Sequence, residues 1–303
     1  ASGSATMSAI VHRCYGSPDL LELTQIAVPV PKDDEMLIKV MSAGVNPKDW
    51  HVMRGTPYLL RLMNGLGAPD NSYLGTDFSG IVAAVGKDVS KFKVGDKVFG
   101  GGNGSFAEYM TIKERHGIAI MPENTSFQES SAVGIAGITA IQALTDIGHL
   151  KAGQKVLING ASGGVGTYAV QIAKAMGAEV TGVSSVKNHE LVLGLGADHV
   201  IDYKTANYTQ SQVKYDLIID MVGNHSLLDN RNVMTEDGRL VIVGGAKGNW
   251  IAPLLGPLSA LIISPFVSQN FEMFIAVLKP KDMQALAMMM AEGKLKTVLG
   301  QNY

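Results

Sequence analysis

Seven consecutive residues behind an apolar segment have the composition of a phosphate-binding turn. The apolar run 155–159 is followed by Gly160, Ala161, Ser162, Gly163, Gly164, Val165 and Gly166. Without a Cβ, Gly163 lets a pyrophosphate approach the main chain, and Gly166 lets a helix lie close to the preceding strand. The first N–H groups of that helix would point at the phosphates, whose negative charge the helix dipole favours. The turn therefore predicts dinucleotide binding through residues 161–166.

The elements around the turn make this prediction specific. Apolar residues recur at helical spacing over 165–176, Gly177 follows as a helix stop, and a second strand at 179–183 ends at Ser184. Ala161 stands where the first glycine of the pattern G-x-G-x-x-G is usual, which is a small departure. A P-loop is excluded because no lysine precedes Thr167.

Two other interpretations of the turn stay open. The glycines could form an ordinary tight turn, or the run 160–164 could be the G-x-S-x-G turn of a hydrolase. In a hydrolase Ser162 would be the nucleophile. Its acid and base would then have to be Asp220 and His225, which are close together in sequence.

The loop after the second strand distinguishes the two nicotinamide cofactors. An acidic residue there would bind the ribose 2′-hydroxyl and repel a 2′-phosphate. This chain has Ser184 and Lys187 in that loop and no carboxylate before Glu190. Hydroxyls and an ammonium group suit a phosphate dianion, and Tyr203 after the third strand could cover the same phosphate or the adenine edge. The predicted cofactor is NADP(H), with a solvated loop as the alternative.

Composition limits the remaining possibilities. The chain has 303 residues, 46% hydrophobic and 17% charged, which is typical of a globular protein with room for two domains. A net charge of −2 gives no sign of nucleic-acid binding. One cysteine, Cys14, excludes an internal disulfide and a cysteine-rich metal site, and it fits a cytoplasmic location. Prolines and glycines interrupt the uncharged stretch 248–271, so no membrane span is expected.

The pattern of elements changes along the chain. Short strands separated by glycine and proline turns are predicted at 36–41, 80–85, 97–99 and 106–112. A helix at 132–144 then leads into apolar strands at 156–159, 180–183, 199–202, 217–220 and 240–243, which predict a doubly wound parallel sheet. Residues 1–6 are predicted to be an artificial extension ahead of a natural start near Met7.

Several motifs together resemble the medium-chain dehydrogenase/reductase superfamily, and within it the zinc-independent quinone oxidoreductase-like branch. They are Gly-Val-Asn-Pro-Lys-Asp at 44–49, Leu-Gly-Thr-Asp-Phe-Ser-Gly at 74–80, Val-Gly-Asp-Lys-Val at 94–98, Ala-Gly-Ile-Thr-Ala at 136–140, the turn at 161–166 and Gly-Gly at 244–245. The resemblance implies an α/β protein with a GroES-like β-barrel catalytic domain at 1–128 and a Rossmann NADP-binding domain at 129–293. Residues 294–303 would begin a return to the catalytic domain, and a homodimer is expected.

The resemblance also bears on metal and on catalysis. Zinc-dependent relatives carry a cysteine and a His-Glu pair at positions that hold Asn46 and Thr76-Asp77 here, so no metal is expected. A carboxylate site from Asp77 and Asp49 would suit zinc poorly. Asn46 is the first candidate for a hydrogen bond to the substrate, His51 the second and Tyr58 the third. Asn46 could equally cap a turn, and His51 could be a satisfied, partly buried histidine.

The remaining cofactor contacts are also implied by the resemblance. Their residues are Thr139, Val222, Gly223, Gly244, Gly245 and Ala246, with Phe266 and Val267 closing the substrate pocket or forming a strand that pairs two subunits. Relatives continue beyond the point that matches Tyr303 with a further helix and strand. Either the sequence is cut short there or the protein lacks this return, and only in the second case would activity be in question.

The expected activity is NADPH-dependent reduction of quinones or α,β-unsaturated carbonyls. These acceptors take a hydride at carbon, and the negative charge spreads onto a carbonyl oxygen, so no Lewis acid is needed. The protein would have to orient the acceptor and offer a hydrogen bond or a proton. The alternative is a catalytically idle NADPH-binding protein with a sensor, scaffold or crystallin-like structural role.

Overall fold

A computed structural model describes residues 5–244 and 268–303. The elements, in chain order, are β1 (Thr6–His12), β2 (Leu21–Ala27), β3 (Glu35–Gly44), α1 (Pro47–Arg54), α2 (Arg61–Asn64), β4 (Asp77–Val85), β5 (Lys97–Gly101), β6 (Tyr109–Lys113), β7 (Ile118–Ile120), α3 (Phe127–Ser131), α4 (Gly134–Gln142), β8 (Lys155–Asn159), α5 (Gly164–Ala175), β9 (Glu179–Ser184), α6 (His189–Gly194), β10 (His199–Asp202), β11 (Tyr215–Asp220), α7 (Leu227–Arg231), β12 (Met234–Ile242), β13 (Asn270–Met273) and α8 (Pro280–Ala291). Short 3-10 turns and one π-turn at Ala143–Ile147 connect some of them.

The chain divides into two compact units, whose bounds differ from the predicted domains. The first unit holds Ala1–Ile138, Leu278–Gly293 and Leu299–Tyr303, and the second holds Thr139–Val277 and Lys294–Val298. The division therefore lies beyond the predicted boundary at 128. Residues 278–293, predicted for the nucleotide-binding domain, belong to the first unit, where Leu286 is buried near Gly137. Residues 294–298 stay in the second unit, because Gln171 exchanges hydrogen bonds with the main chain of Lys296.

Antiparallel β-structure forms the first unit, as predicted. Its main sheet has the order β6-β3-β4-β5-β7, and β1 pairs with β2. Inward-facing residues of the main sheet, such as Ile38 and Phe78, are fully buried in one apolar core. β1, β2 and β7 were not predicted, and β1 begins inside the predicted N-terminal extension, since Thr6 pairs with Ala27.

A six-stranded parallel sheet forms the second unit. Its order is β10-β9-β8-β11-β12-β13, and every neighbouring pair is parallel. This confirms the predicted sheet and adds β13 as an edge strand. β8 lies between β9 and β11, so the chain changes its direction of winding there. In sheets of this kind ligands bind beside the carboxyl ends of the strands at that point.

Local sequence explains the first strand–helix–strand of this sheet. Val156, Leu157 and Ile158 of β8 are fully buried, which explains their unbroken apolar character. α5 ends near Gly177, whose positive φ of 82° ends the helix as predicted. Within the described residues, no helix is long and apolar enough to cross a lipid bilayer.

Candidate active site

A buried polar cluster in the first unit surrounds Asn46. Asn46 follows β3 and precedes α1, and its side chain is 9% exposed. Its Nδ2 donates to Oδ2 of Asp77 at 2.9 Å, and its main-chain N–H donates to Oδ2 of Asp49 at 2.7 Å. The hydroxyl of Thr76 donates to the other oxygen of Asp49 at 3.1 Å. The structure therefore makes Asn46 part of a hydrogen-bonded cluster, in addition to its place at the start of a helix.

Asp77 is the most buried charged group of this cluster. Its exposed fraction is 0%, and its carboxylate also accepts from the main-chain N–H of Ile135 in the first turn of α4, at 2.9 Å to each oxygen. Loss of solvation on burial raises the pKa of Asp77 to about 7, although the hydrogen bonds from Ile135 and Asn46 act in the opposite direction. Burial also raises the pKa of Asp49, whose hydrogen bonds oppose the shift.

The raised pKa of Asp77 predicts a pH-dependent stability. Because the folded protein holds this proton more tightly than the unfolded chain, stability falls as the pH rises from 3.8, the ordinary pKa of an aspartate, to about 7. The Asp77→Asn variant has no carboxyl group at this position and therefore does not titrate there. We therefore expect the Tm of the wild type, relative to this variant, to fall between about pH 4 and pH 7. A Tm difference that stays constant over this range in thermal unfolding would contradict the shift.

His51 and Tyr58, the other predicted catalytic residues, have different surroundings. Nδ1 of His51 lies 2.6 Å from the carbonyl oxygen of Thr56, and the ring stacks on Trp50 at a centroid distance of 3.9 Å. A carbonyl only accepts, so Nδ1 carries the proton and Nε2 of the neutral ring can accept one. The guanidinium group of Arg61 lies over the ring of Tyr58, with its Cζ 4.8 Å from the ring centroid.

The predicted dinucleotide turn joins β8 to α5 in the second unit. Gly163 precedes the helix without a side-chain cap, and both Gly163 and Gly164 are exposed. The N–H groups of the first helical turn are therefore available to an anion. Gly166 has the packing role expected of it, because a Cβ there would lie 2.2 Å from the carbonyl oxygen of Gly160. Ala161 is fully buried, and Ser162 accepts a hydrogen bond from Asn188.

Two glycines of the turn provide a test of the packing role of Gly166. Gly166→Ala is expected to lower stability by about 1–3 kcal/mol, because the added methyl meets main-chain atoms. Gly164→Ala is the matched control, since no atom lies within 4 Å of a Cβ at that position. Urea unfolding without a ligand should distinguish the two variants. Equal stability of both would contradict the packing role of Gly166.

The predicted 2′-phosphate site lies where β9 and β10 end. Ser184 and Asp202 are paired in register, and the N–H of Tyr203 donates to the carbonyl oxygen of Ser184 at 3.3 Å. The side chain of Tyr203 is 56% exposed. Lys187 is exposed, and within residues 5–244 and 268–303 its ammonium group forms no hydrogen bond or salt bridge. The structure thus places Ser184 beside Tyr203 and leaves the Lys187 ammonium available to a ligand.

Sequence reasoning missed a buried polar pair that organises the neighbouring loops. Asp220 ends β11 and is 2% exposed, and its Oδ1 accepts from Asn159 Nδ2 and from the N–H groups of Val222 and Gly223, at 2.8–3.0 Å. Its carbonyl oxygen accepts from the N–H of Gly244 at 3.2 Å. Asp220 therefore fixes the loops that hold three predicted cofactor-binding residues. The sequence did hold a signal for this pair, because Asn159 and Asp220 are the polar residues that end two apolar strands.

For the remaining predicted cofactor and substrate residues, the structure gives less detail. Thr139 is buried on α4. Gly245, Ala246, Phe266 and Val267 lie outside the described residues, as does most of the uncharged stretch 248–271. A hydrolase triad has no support within the described chain, because His225 packs edge-on against Tyr208 and Asp220 is held by Asn159. Ser162 is paired with Asn188.

The donor groups at the position expected for zinc are those of an amide, a hydroxyl and one carboxylate. Asn46, Thr76 and Asp77 already bond to one another or to their neighbours. Among the described residues, no three histidine, cysteine, aspartate or glutamate side chains are grouped so that they could hold a metal ion.

Comparisons with known proteins agree with this description of both units. Residues 32–123 match the family described as alcohol dehydrogenase GroES-like domain, and residues 164–291 match the family described as zinc-binding dehydrogenase. The quinone oxidoreductase of Homo sapiens is 35% identical over 318 residues, which cover 100% of this chain and 92% of the relative.

Solved structures are similar over nearly the whole chain. The quinone oxidoreductase from Coxiella burnetii has a TM-score of 0.83 at 28% identity, over 96% of this chain and 89% of the other. The quinone oxidoreductase from Escherichia coli, complexed with NADPH, has a TM-score of 0.81 over 98% of this chain and 91% of the other. At 24% identity the second similarity concerns the fold alone.

Proposed function

The chain belongs to the quinone oxidoreductase-like branch of the medium-chain dehydrogenase/reductase superfamily, and on this premise we propose that it reduces quinones with NADPH. The cofactor, when bound, supplies a hydride from its nicotinamide ring. In the overall reaction one quinone takes up this hydride and one proton, which yields one hydroquinone and one NADP⁺. Both electrons come from the cofactor.

The observation that carries this proposal is the glycine turn together with the loop that holds Lys187. The exposed N–H groups at the start of α5 suit a pyrophosphate, and no side chain caps them. The exposed Lys187 suits a 2′-phosphate, and no carboxylate before Glu190 would repel it. The hydroxyl of Ser184 is buried and donates to the carbonyl oxygen of Ser185, so Lys187 carries this part of the proposal. These features favour NADPH over NADH.

On the substrate side we assign Asn46 to the acceptor oxygen. Within the described part of the chain, Nδ2 of Asn46 donates one hydrogen bond, to Asp77. The second N–H of this nitrogen is therefore available to a ligand. An N–H donated to a carbonyl oxygen stabilises the negative charge that develops there during hydride transfer. The proton on Nδ1 of His51 stays bonded to the carbonyl oxygen of Thr56, while Nε2 can accept a proton and then pass it to the acceptor oxygen. Tyr58 remains a third candidate for the same oxygen.

We extend the proposal to conjugated enones and enals and to catalysis without a metal. A conjugated acceptor resembles a quinone in that hydride addition at carbon places charge on a carbonyl oxygen, which Asn46 could bind. Asp77 accepts from Asn46 and from the N–H of Ile135, and the hydroxyl of Thr76 donates to Asp49. A cytoplasmic location and a homodimer remain predictions.

Steady-state assays of NADPH consumption test this function. We expect turnover with p-benzoquinone and with a conjugated alkenal, no turnover with the matching saturated aldehyde, and no loss of activity after dialysis against a metal chelator. Tight NADPH binding without turnover of any acceptor would favour the catalytically idle alternative. Turnover that is lost on chelation and restored by zinc would contradict metal independence.

A further inference from the structure

The buried carboxylate of Asp77 connects two elements of the first unit. Asp77 begins β4, where it pairs with Gly44 at the end of β3, and Asn46 follows that strand end. The same carboxylate accepts from the main-chain N–H of Ile135 in the first turn of α4. One side chain therefore holds both the start of a helix and the side chain that we assign to the substrate oxygen.

The surroundings of Asp77 are shaped to hold it in one place. A Cβ on Gly134 would lie 2.4 Å from Oδ1 of Asp77, and a Cβ on Gly44 would lie 3.3 Å from its Cβ. The glycine at position 134 thus makes room for the carboxylate, and Gly44 makes room beside the first carbon of the same side chain. With an exposed fraction of 0%, the carboxylate is shielded from bulk solvent.

The donor and acceptor pattern determines how the Asn46 amide is oriented. In its ionised form, which prevails above its pKa of about 7, the Asp77 carboxylate only accepts hydrogen bonds, so it requires the NH₂ end of Asn46 rather than the carbonyl end. Oδ2 of Asp77 lies 2.9 Å from Nδ2 of Asn46 and 2.9 Å from the N–H of Ile135. Because Ile135 also needs an acceptor, neither donor can be exchanged for an acceptor without leaving a buried polar group unpaired.

We propose that Asp77 is a positioning residue, which fixes the amide of Asn46 so that its second N–H is directed at the acceptor oxygen of the substrate. This inference rests on the proposed function and deepens it. Asp77 itself touches neither substrate nor cofactor and acts through Asn46. A residue that only stabilised the fold would affect turnover whether or not Asn46 was present.

A double-mutant cycle distinguishes positioning from a structural role. We expect Asp77→Asn to lower kcat about tenfold in the wild-type background and to change it less than about twofold in the Asn46→Ala background. The dissociation constant of NADPH should stay within about twofold of the wild type in all variants, since that site lies in other residues. An unchanged kcat in folded Asp77→Asn, or an equal loss in both backgrounds, would overturn the proposal.

A second variant covers the case in which Asp77→Asn does not fold. Gly134→Ala leaves Asp77 in place but adds a methyl group against its carboxylate, so the hold on Asn46 should be disturbed. Its loss of kcat should again disappear in the Asn46→Ala background. If the loss is the same in both backgrounds, the proposal is wrong.

Hydrogen exchange of the Asn46 side-chain amide gives a readout that does not depend on turnover. In the wild type, NMR should show one amide proton that exchanges slowly, because it is bonded to Asp77. In Asp77→Asn this protection should fall at least about tenfold. Equal protection in both proteins would overturn the positioning role. Absence of quinone turnover in a wild type with a protected amide would instead contradict the proposed function.

Discussion

Replacement of Asn46 by alanine is expected to lower kcat for quinone reduction by about 100-fold, which is the usual cost of losing one hydrogen-bond donor to a developing negative charge. Asn46 as a residue is 9% exposed, and its amide has one N–H beyond that bonded to Asp77. The variant also takes a donor from the buried Asp77, so a fall in Tm is expected together with the loss of kcat. Rates should therefore be measured well below the Tm, together with the dissociation constant of NADPH, which should not change.

A matched control for this variant is Asn124→Ala. Asn124 is an exposed residue of the first unit, whose Nδ2 donates to the carbonyl oxygen of Met290 at 3.0 Å. Its replacement also removes an amide hydrogen bond but should leave kcat unchanged. If Asn46→Ala retained kcat within about twofold of the wild type, Asn46 would not bind the acceptor oxygen.

Reversal of charge at Lys187 should have the largest effect on cofactor choice. We expect Lys187→Glu to weaken NADPH binding by about 100-fold, or about 2.7 kcal/mol, because an ammonium–phosphate contact is replaced by repulsion. NADH carries a 2′-hydroxyl, which a carboxylate can accept from, so its affinity should hold or improve. Titrations of both cofactors, followed by fluorescence, give the two dissociation constants.

Lys151→Glu provides the control for net charge. Lys151 is an exposed residue of the second unit and precedes β8, whereas Ser184 and Lys187 follow the end of β9. Since neighbouring strands are parallel, this lysine lies at the amino ends of the strands, whereas the predicted phosphate loop lies at their carboxyl ends. Its replacement should weaken both cofactors slightly and equally. An equal weakening of NADPH and NADH by Lys187→Glu would remove the reason for preferring the phosphorylated cofactor.

The nucleotide-binding half could be predicted because its signals are local in sequence. β8, the glycine turn, α5 and β9 follow each other without a break, and each has its own pattern of apolar residues and glycines. The turn needs Gly166 for close packing against Gly160, a requirement that acts over six positions of chain. Such short-range constraints are visible in the sequence itself.

The division of the chain into units could not be predicted, because it depends on long-range packing. α8 has an apolar pattern that would suit either unit, and only the burial of Leu286 and Met290 in the first unit decides it. β1 has buried Met7, Ala9 and Val11 at alternate positions, a signal that sequence reasoning missed, whereas β2 has no buried residue. Their pairing is a property of the folded chain.

Residues of the candidate site could be proposed from the sequence, but their arrangement could not. Asn46 was expected at the site, but its partner Asp77 is 31 positions away, and the sequence suggested that residue only as a poor zinc ligand. Similarly, Asp220 contacts Asn159 across 61 positions. Pairs of polar residues at strand ends become neighbours only through the register of the sheet, which single-sequence patterns do not determine.

Rapid mixing of the protein–NADPH complex with p-benzoquinone tests the central claim most directly. The cofactor should carry deuterium at the transferred position of nicotinamide C4 in one experiment and hydrogen in the other. We expect one hydroquinone for each NADPH oxidised and slower oxidation with deuterium, because the bond to C4 breaks as the hydride moves to the quinone. Folded protein that binds neither NADPH nor NADH, or bound NADPH that no quinone oxidises, would contradict the proposed function.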